Sequence, residues 1–228
     1  MQDESVVIVG VGPGLGTSLA RRFAKSGFSI SLVARNREKL LSLVSEIESN
    51  GTNAIALRAD ATSESAVKRL FARTEKELGP VRVAVYNAGV RIRKPVLDIS
   101  SDEFINSWKL SCYGGFLVGR EAAKYMIPRG KGSIFFTGAT ASIKGFPNSA
   151  AFAVGKFGLL GLAQSMAREL QPKGIHVAHF VIDGVIGRDS KDDKLDPDAI
   201  AETYFQVHMQ HRSSWSFNVE LRPWSEKF

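Results

Sequence analysis

A lysine stands in an apolar stretch of the sequence where helical spacing predicts burial. Lys156 lies in the segment 150–170, and Phe152 precedes it by one helical turn on the same face. A buried ammonium needs hydrogen-bond partners, so this lysine is a candidate functional residue. The alternative is a lysine whose stem covers apolar surface while its ammonium reaches water.

A glycine-rich turn follows the first predicted strand. It contains Gly10, Gly12, Gly14, Leu15 and Gly16, and a helical pattern begins within it. Glycines at such a junction let the backbone approach a pyrophosphate, and the helix N-terminus supplies N–H groups and partial positive charge. The turn therefore predicts a dinucleotide site, and a tight turn without a ligand is the alternative.

The end of the second predicted strand selects between two dinucleotides. An acidic residue there would bind the adenosine ribose hydroxyls, as in NAD sites. This sequence has Ala34 at that place and Arg35 after it. A guanidinium suits a 2′-phosphate, so NADP(H) is the predicted cofactor and NAD(H) the less favoured one. Solvated helix-cap charges are the alternative for Arg35 and Arg37.

Short β-rich apolar runs alternate with longer helical patterns along the chain. Strands are predicted over 5–9, 28–33, 54–57, 81–86, 133–137, 174–182 and 216–221. Helices are predicted over 15–25, 37–49, 63–78, 101–126, 150–170 and 196–211. This alternation predicts an α/β fold, a Rossmann-like, doubly wound, parallel seven-stranded sheet with helices on both faces. No linker or repeat divides the chain, so residues 1–228 are predicted to form a single domain.

The composition is that of an ordinary globular protein, with 44% hydrophobic and 23% charged residues. No uninterrupted apolar run reaches the roughly 18 residues of a membrane span, and the N-terminal stretch has no signal-peptide pattern. Cys112 is the only cysteine, so we expect a reducing cytoplasm. The lack of a long apolar run predicts no membrane association. The formal charge of +7 is spread without a basic run, which disfavours nucleic acid and leaves an anionic cofactor or substrate open.

Two further short motifs follow strand ends, Ala59-Asp60-Ala61 and Asn87-Ala88-Gly89. Together with the glycine turn and Lys156, they make the sequence resemble the short-chain dehydrogenase/reductase family over nearly its whole length. The resemblance implies an NAD(P)-dependent oxidoreductase acting on a small carbonyl or alcohol compound. It also implies that Lys156 holds the nicotinamide ribose hydroxyls. The other cofactor contacts it implies are Asp60, Ala61, Asn87, Ala88, Gly89 and Gly184.

The same resemblance exposes departures in the catalytic site. The family has an asparagine, a serine, a tyrosine and a lysine there, the last two as YxxxK. This sequence has Ser111, Ala139 and Phe152 at the first three positions and keeps Lys156. Phe152 cannot donate a proton and Ala139 cannot hydrogen-bond a substrate oxygen, so ordinary catalysis is expected to be impaired. Two interpretations stay open, an oxidoreductase with an atypical site and a catalytically silent NADP(H)-binding sensor or assembly protein.

Other residues are candidates for the missing proton donor. Asp183 stands where the family commonly has the proline of a Pro-Gly pair beside the nicotinamide, and burial would raise the pKa of a carboxyl there. Thr140 and Ser142 border the expected pocket, and Tyr113 follows in the helix after the fourth strand. Each has an ordinary alternative as a turn, cap, core or interface residue.

Basic residues recur near the expected pocket mouth, at Arg91, Arg93, Lys94 and Lys144. They would attract a carboxylate or phosphate on the substrate, or they are solvated surface charges. The four histidines show no metal-ligand spacing, so no metal is expected.

The resemblance also implies an assembly. Helices 101–126 and 150–170 would pack across a two-fold axis, which predicts a homodimer or homotetramer. The C-terminal segment, about 184–228, is a short recast version of the family's substrate lid. Trp224 within it is expected to cover the pocket or a subunit contact.

Overall fold

Seven apolar segments of the chain form one sheet in which every neighbouring pair of strands is parallel. The computed structural model describes residues 4–226. The strands are β1 (Ser5–Val9), β2 (Ser29–Ala34), β3 (Ala54–Arg58), β4 (Val81–Tyr86), β5 (Gly132–Thr137), β6 (Ile175–Ile182) and β7 (Asn218–Leu221). Their order is β3-β2-β1-β4-β5-β6-β7. The predicted parallel seven-stranded sheet is therefore confirmed.

Helices cover both faces of this sheet. They are α1 (Leu15–Lys25), α2 (Leu41–Ser49), α3 (Glu64–Leu78), α4 (Ser101–Trp108), α5 (Gly114–Met126), α6 (Ala150–Leu170) and α7 (Pro197–His208). Alternate residues of β1 enter two separate cores. Val6 and Ile8 pack with α1, α2 and α7, whereas Val7 and Val9 pack with α3, α5 and α6.

The direction of strand addition reverses at the centre of the sheet. The strand β1 pairs with β2 on one side and with β4 on the other. The connection from β1 to β2 packs on one face of the sheet, and the connection from β4 to β5 packs on the other. The loops that follow β1 and β4 therefore diverge at the carboxyl ends of these two strands. Such a switch point is where open α/β sheets bind ligands.

Local caps fix several helix starts. Ser63 accepts a hydrogen bond from the Ala66 N–H at the start of α3, where a helix is predicted from the sequence. At the start of α4, Ser100 and Glu103 form a reciprocal capping box. Asp196 accepts from the N–H of Asp198 and caps α7. The same polar side chains that end the loops therefore set the helix boundaries.

The predicted helix over 101–126 is wrong in one respect, because a π turn over Lys109–Tyr113 separates α4 from α5. The buried Tyr86 hydroxyl donates to the Leu110 carbonyl inside this turn and competes with the helical hydrogen-bond pattern. Gly114 is required beside it, since a Cβ there would lie 2.3 Å from the Tyr86 hydroxyl oxygen. Other bounds shift by a few residues: α2 begins after a 3-10 turn, α7 ends at 208 and β7 begins at 218.

One helix has the composition of a membrane span. Ala150–Lys173 is long and apolar enough to cross a membrane, judged by length and composition alone. The search for uninterrupted apolar runs in the sequence did not identify this helix as long and apolar enough to cross a membrane. In the structure, Leu159, Ala163 and Leu170 of α6 are buried in the core beneath the sheet. A core helix satisfies the same criterion, and packing against the sheet accounts for these buried residues, whereas Val154 and Phe157 of the same helix are exposed.

Candidate active site

The carboxyl ends of the central strands enclose a cleft at the switch point. Two adjoining cavities of about 760 and 740 Å³ occupy it. We call the first the β2-side cavity, because it lies over the ends of β1, β2 and β3. The β5-side cavity lies over the ends of β4, β5 and β6. Both walls include Gly10, Gly12, Asn87 and Gly89, so the cavities meet at the glycine turn.

The glycines of the turn have two different roles. A Cβ on Gly10 would lie 2.5 Å from the Ala88 nitrogen, and one on Gly16 would lie 2.8 Å from the backbone of the turn itself. Both positions therefore need glycine for close backbone packing. Nothing lies within 4 Å of a Cβ placed on Gly12 or Gly14, which face the cavities. The turn has room for a ligand group against its backbone amides, as the sequence predicts.

The β2-side cavity collects several residues predicted to contact a dinucleotide. Its wall includes Arg35, Asp60, Ala61, Asn87 and Ala88, together with Ala34 at the place of the expected acid. Arg35 is exposed and makes no hydrogen bond or ion pair within residues 4–226. Arg37 is engaged elsewhere, since its Nε donates to the Ala56 carbonyl at 3.1 Å. Lys39, which sequence reasoning missed, lies on the same wall as Arg35.

The turn after β4 fastens the glycine turn in place. The Asn87 side-chain amide donates to the Gly10 carbonyl at 2.9 Å, and its backbone N–H donates to Val9 at 2.8 Å. Gly89 follows on the walls of both cavities. A Cβ on Gly89 would lie 3.4 Å from the Lys156 ammonium nitrogen, so the turn also backs this lysine. The residues 87–89 thus position both the turn and the lysine.

Lys156 lies on the wall of the β5-side cavity and is only 5% exposed. Its Nζ donates to the Thr137 carbonyl at 2.7 Å, at the end of β5. Burial lowers the pKa of this ammonium to about 8. The alternative of an ammonium in bulk water is therefore wrong. One hydrogen bond uses one of its three donors, and the others face a region that can hold a polar ligand.

The positions of the missing serine and tyrosine lie on the same wall as the lysine. The Phe152 ring centroid is 5.9 Å from the Lys156 Nζ, and Ala139 lies on the loop after β5. Phe152 and Ala139 present no hydroxyl group to the cavity. The Ala139 backbone N–H donates to the buried Ser142 hydroxyl at 3.1 Å, so Ser142 serves the loop.

Asp183 is held by two partners at the end of β6. It accepts a hydrogen bond from the Thr140 hydroxyl, and its other oxygen lies 3.5 Å from the Arg222 Nε. Sequence reasoning did not pair Asp183 with Arg222. Thr140 and Gly184 line the β5-side cavity, with the carboxylate behind the threonine. Asp183 as a proton donor stays a prediction, and its visible role is to join three loops.

Ser111 and Tyr113 are not on the wall of either cavity. Ser111 is completely buried in the π turn, and its hydroxyl has no hydrogen-bond partner among the described residues. Gly155 of α6 packs against it, since a Cβ there would lie 2.7 Å from the Ser111 Cβ. Tyr113 stacks between Trp108 and Phe116 on the outer side of α4 and α5. The serine therefore lies behind the site, and the tyrosine lies outside it.

Comparison with known proteins decides the family. Residues 4–192 match the sequence pattern of the family described as short chain dehydrogenase. The chain belongs to this short chain dehydrogenase family. The resemblance drawn from the glycine turn, the 59–61 and 87–89 motifs and Lys156 is thereby confirmed.

Curated short-chain dehydrogenases share about a third of their residues with this chain. A short-chain dehydrogenase/reductase of Armillaria gallica is 32% identical over 182 residues, which is 78% of this chain and 70% of the relative. The 3-oxoacyl-[acyl-carrier-protein] reductase of Mus musculus is 31% identical over 187 residues, which is 82% of this chain and 77% of the relative.

Solved short-chain dehydrogenases have the same architecture. One from Rhodopseudomonas palustris superposes with a TM-score of 0.89 at 40% identity, covering 97% of this chain and 99% of its own. A metagenomic short-chain oxidoreductase in complex with NADP superposes with a TM-score of 0.87 at 26% identity, covering 96% and 97%. Both alignments extend beyond β6, so the recast C-terminal segment keeps the overall path of these solved structures.

The C-terminal residues of this short-chain dehydrogenase depart from the sequence prediction. Trp224 is 80% exposed, and its indole N–H donates to the Lys191 carbonyl at 3.3 Å. The expectation that it covers the pocket is therefore wrong. Glu226 lies on the wall of the β5-side cavity instead. The segment turns at Pro223, which packs against Gly184 and directs the tryptophan outward.

The histidines have structural partners. His179 is completely buried in the middle of β6, where its Nδ1 lies 3.0 Å from the Asn218 side-chain oxygen. Burial lowers the pKa of His179 to about 4. His176 stacks on Trp215, with ring centroids 4.8 Å apart. Within residues 4–226, no group of three or more His, Cys, Asp or Glu side chains is arranged to hold a metal ion.

Alanine substitutions in the glycine turn separate packing from ligand contact. Gly10→Ala is expected to lower the free energy of unfolding by about 2–4 kcal/mol, because it adds strain at a φ of +97° and overlaps the backbone after β4. Gly12→Ala should change stability by less than about 1 kcal/mol but weaken NADPH binding, because its methyl group enters open cavity. Urea unfolding and NADPH titration measure the two effects, and equal destabilisation would contradict the assignment.

Proposed function

We propose that this short-chain dehydrogenase is an NADP(H)-dependent oxidoreductase of a small carbonyl or alcohol compound, with an atypical catalytic site. The observation that carries the proposal is the buried Lys156 ammonium, which faces the cleft beside an open glycine turn. The solved relative in complex with NADP supports the same class of cofactor. Cytoplasmic location belongs to this proposal and rests on the single cysteine.

The residues present fit a nicotinamide dinucleotide. Gly12 and Gly14 leave a cradle that a side chain would fill, so their amides are available for a diphosphate. Arg35 and Lys39 would hold the 2′-phosphate, since both lie on the β2-side wall and both are exposed. Lys156 would hold the nicotinamide ribose hydroxyls. The cofactor supplies or accepts the hydride when bound.

The chain's own groups position the substrate but offer no ordinary acid. Lys156 keeps its ammonium at a fixed point by bonding the Thr137 carbonyl. Phe152 and Ala139 hold no exchangeable proton, so the usual contribution of a positioned acid, roughly 10²–10⁴ in rate, is missing. The hydroxyl groups on this wall belong to Thr137, Thr140 and Ser149, and each is already hydrogen-bonded, to Tyr204, Asp183 and the Pro147 carbonyl respectively. Turnover is therefore expected to be slow relative to relatives with a complete site.

The lack of hydroxyl groups at Ala139 and Phe152 also supports a second function. A chain that binds NADP(H) without turning it over would need the glycine turn and Lys156 but neither hydroxyl. Such a protein would act as a sensor or an assembly component. Consumption of NADPH with a panel of carbonyl compounds separates the two, because the sensor binds NADPH and never oxidises it.

Cofactor choice tests the assignment of Arg35. Arg35→Glu is expected to weaken NADPH binding on the order of tenfold to a hundredfold and to leave NADH binding nearly unchanged, because only NADPH loses a charge-assisted contact. Arg69→Glu, an exposed site on α3, is the matched control. Fluorescence titration measures both affinities. Equal affinity of the wild type for the two nucleotides would contradict NADP preference.

We also propose a homodimer or homotetramer built on α4, α5 and α6. These helices expose Ile105, Trp108, Phe116, Val154 and Phe157. Large apolar side chains grouped on neighbouring helices are typical of subunit contacts. Light scattering at micromolar concentration is expected to give a mass of two or four chains, and Trp108→Glu with Phe157→Glu should reduce it to one. A monomeric wild type would exclude this assembly.

A further inference from the structure

Two arginines on the wall of the β5-side cavity have no partner in the described part of the chain. Arg91 and Arg93 line this cavity, and both are exposed. Neither makes a hydrogen bond or ion pair within residues 4–226. Their neighbour Lys94 differs, because it is paired with Glu103. The two guanidinium groups are therefore available to an anion that enters the cavity.

The acid paired with Lys94 is already engaged by other groups. Glu103 accepts from the Ser100 backbone N–H in the capping box at the start of α4, and it also binds Lys94. Taking Glu103 away would expose the first turn of α4 and release Lys94. Glu103 is therefore engaged elsewhere, and Arg91 and Arg93 stay without a partner among residues 4–226.

The segment that carries the arginines is anchored at both ends. Gly89 begins it against the Lys156 ammonium, and the Lys94 backbone N–H ends it by donating to the Asn148 carbonyl at 2.9 Å. This second bond crosses to the loop that precedes α6. The Cα atom of Arg91 lies at most about 7 Å from that of Gly89, because two residues of extended chain span no more. The arginine is therefore close to the end of the cavity that holds Lys156.

The cavity wall also carries apolar side chains beside its polar ones, and it holds little opposing charge. Apolar side chains on its wall are Val90, Phe146, Phe152, Val185 and Ile186. Glu226 is the single acid among the described wall residues, against the cations Arg91, Arg93 and Lys156. An elongated organic acid matches this surface, since its apolar body would contact the hydrophobic wall and its charged end would meet the arginines.

We propose that Arg91 and Arg93 form a carboxylate subsite, so that the substrate is an organic acid with a carbonyl or hydroxyl group a few bonds from the carboxylate and with an apolar group attached. This inference rests on the proposed oxidoreductase function, because it places the reacting group at the Lys156 end of the cavity. Guanidinium groups bind carboxylates through short charge-assisted hydrogen bonds. A partly enclosed apolar cavity strengthens such bonds relative to open water.

Binding of a matched acid and ester tests the subsite without requiring turnover. The wild type is first saturated with NADPH and then titrated with 4-oxo-4-phenylbutanoate or with its methyl ester, by calorimetry. The acid is expected to bind at least about tenfold more tightly than the ester. Arg91→Gln with Arg93→Gln should abolish this preference and leave the ester and NADPH affinities unchanged. Arg69→Gln with Lys76→Gln, which removes two exposed charges from α3, should keep it.

Each other outcome overturns the subsite. Equal binding of the acid and ester, or binding of neither while NADPH binds, would show that the cavity does not select carboxylates. Weaker NADPH binding in the Arg91/Arg93 double variant would assign these arginines to the cofactor phosphates. Loss of the acid preference in the α3 control would show that the preference comes from the net charge of the protein and not from Arg91 and Arg93. Failure of the wild type to bind NADPH is seen in the first step and would remove the proposed function together with this inference.

Discussion

A variant carrying both Ala139→Ser and Phe152→Tyr is expected to reduce carbonyl compounds about 10²–10⁴ times faster than the wild type. Both positions lie on the wall of the β5-side cavity, and the Phe152 ring centroid is already 5.9 Å from the Lys156 Nζ. A tyrosine hydroxyl would extend from this ring beside the ammonium, which would favour its proton transfer. The serine hydroxyl would hold the substrate oxygen. The rate is measured as NADPH consumption over a carbonyl panel.

The single changes define the mechanism more sharply than the double variant alone. Phe152→Tyr without the serine should gain less than about tenfold, because groups that act as a unit are strongly non-additive. Phe205→Tyr is the matched control, since Phe205 is a partly exposed phenylalanine on α7 that lies off both cavity walls and off the proposed subunit contact. A large gain from Phe152→Tyr alone, or no gain from the double variant, would contradict the assignment of these positions.

Replacing Lys156 by methionine is expected to weaken NADPH binding roughly tenfold to a hundredfold and to lower any hydride transfer further. The ammonium is the buried cation in the cleft, and the ribose hydroxyls would lose their charged donor. Lys144→Met is the control, because Lys144 is exposed and lies off both cavity walls. Unchanged NADPH affinity in Lys156→Met would show that this lysine does not contact the cofactor.

The Lys156→Met variant also tests how the free energy of unfolding depends on pH. Burial lowers the pKa of Lys156 to about 8, below the value near 10.5 of the unfolded chain. Between these values the unfolded chain binds more protons than the folded chain, so stability rises with pH. From pH 8 to 10.5 the free energy of unfolding of the wild type should rise by up to about 3 kcal/mol relative to Lys156→Met. Urea unfolding of both proteins across this range measures the difference, and parallel curves would contradict the buried charge.

Most of the sheet was predictable because parallel strands are buried on both faces. Each such strand reads as a continuous apolar run, and β1 is an example in which all five residues are buried. The glycine turn was predictable because its function depends on local backbone geometry. Gly10 packs on the next loop and Gly12 faces open space, and both properties follow from the order of strand, turn and helix.

The missed features depend on contacts between distant segments. The pairing of Asp183 with Arg222 joins the ends of β6 and β7, and no local pattern indicates it. The π turn before α5 depends on a hydroxyl from β4, which is Tyr86. Trp224 was predicted over the pocket or a subunit contact on residue type alone, and the turn at Pro223 directs it away from the pocket, so only the subunit contact stays a prediction.

Sequence reasoning found one of two cations on the β2-side wall. Arg35 was chosen because it follows the expected place of an acid, and its guanidinium is unpaired among residues 4–226, on the wall of the β2-side cavity. Lys39 reaches the same wall from the 3-10 turn before α2. Its position was not predicted, because the sequence predicts an uninterrupted helix from residue 37, in which Lys39 is one charge among several. Contact of either residue with a cofactor stays a prediction.

A crystal structure grown with NADPH measures the central claim most directly. We expect the diphosphate to contact the backbone amides of residues 12–16, the 2′-phosphate to contact Arg35, and the nicotinamide ribose to contact the Lys156 Nζ. An empty cleft at saturating NADPH, or a diphosphate bound away from the glycine turn, would contradict this account.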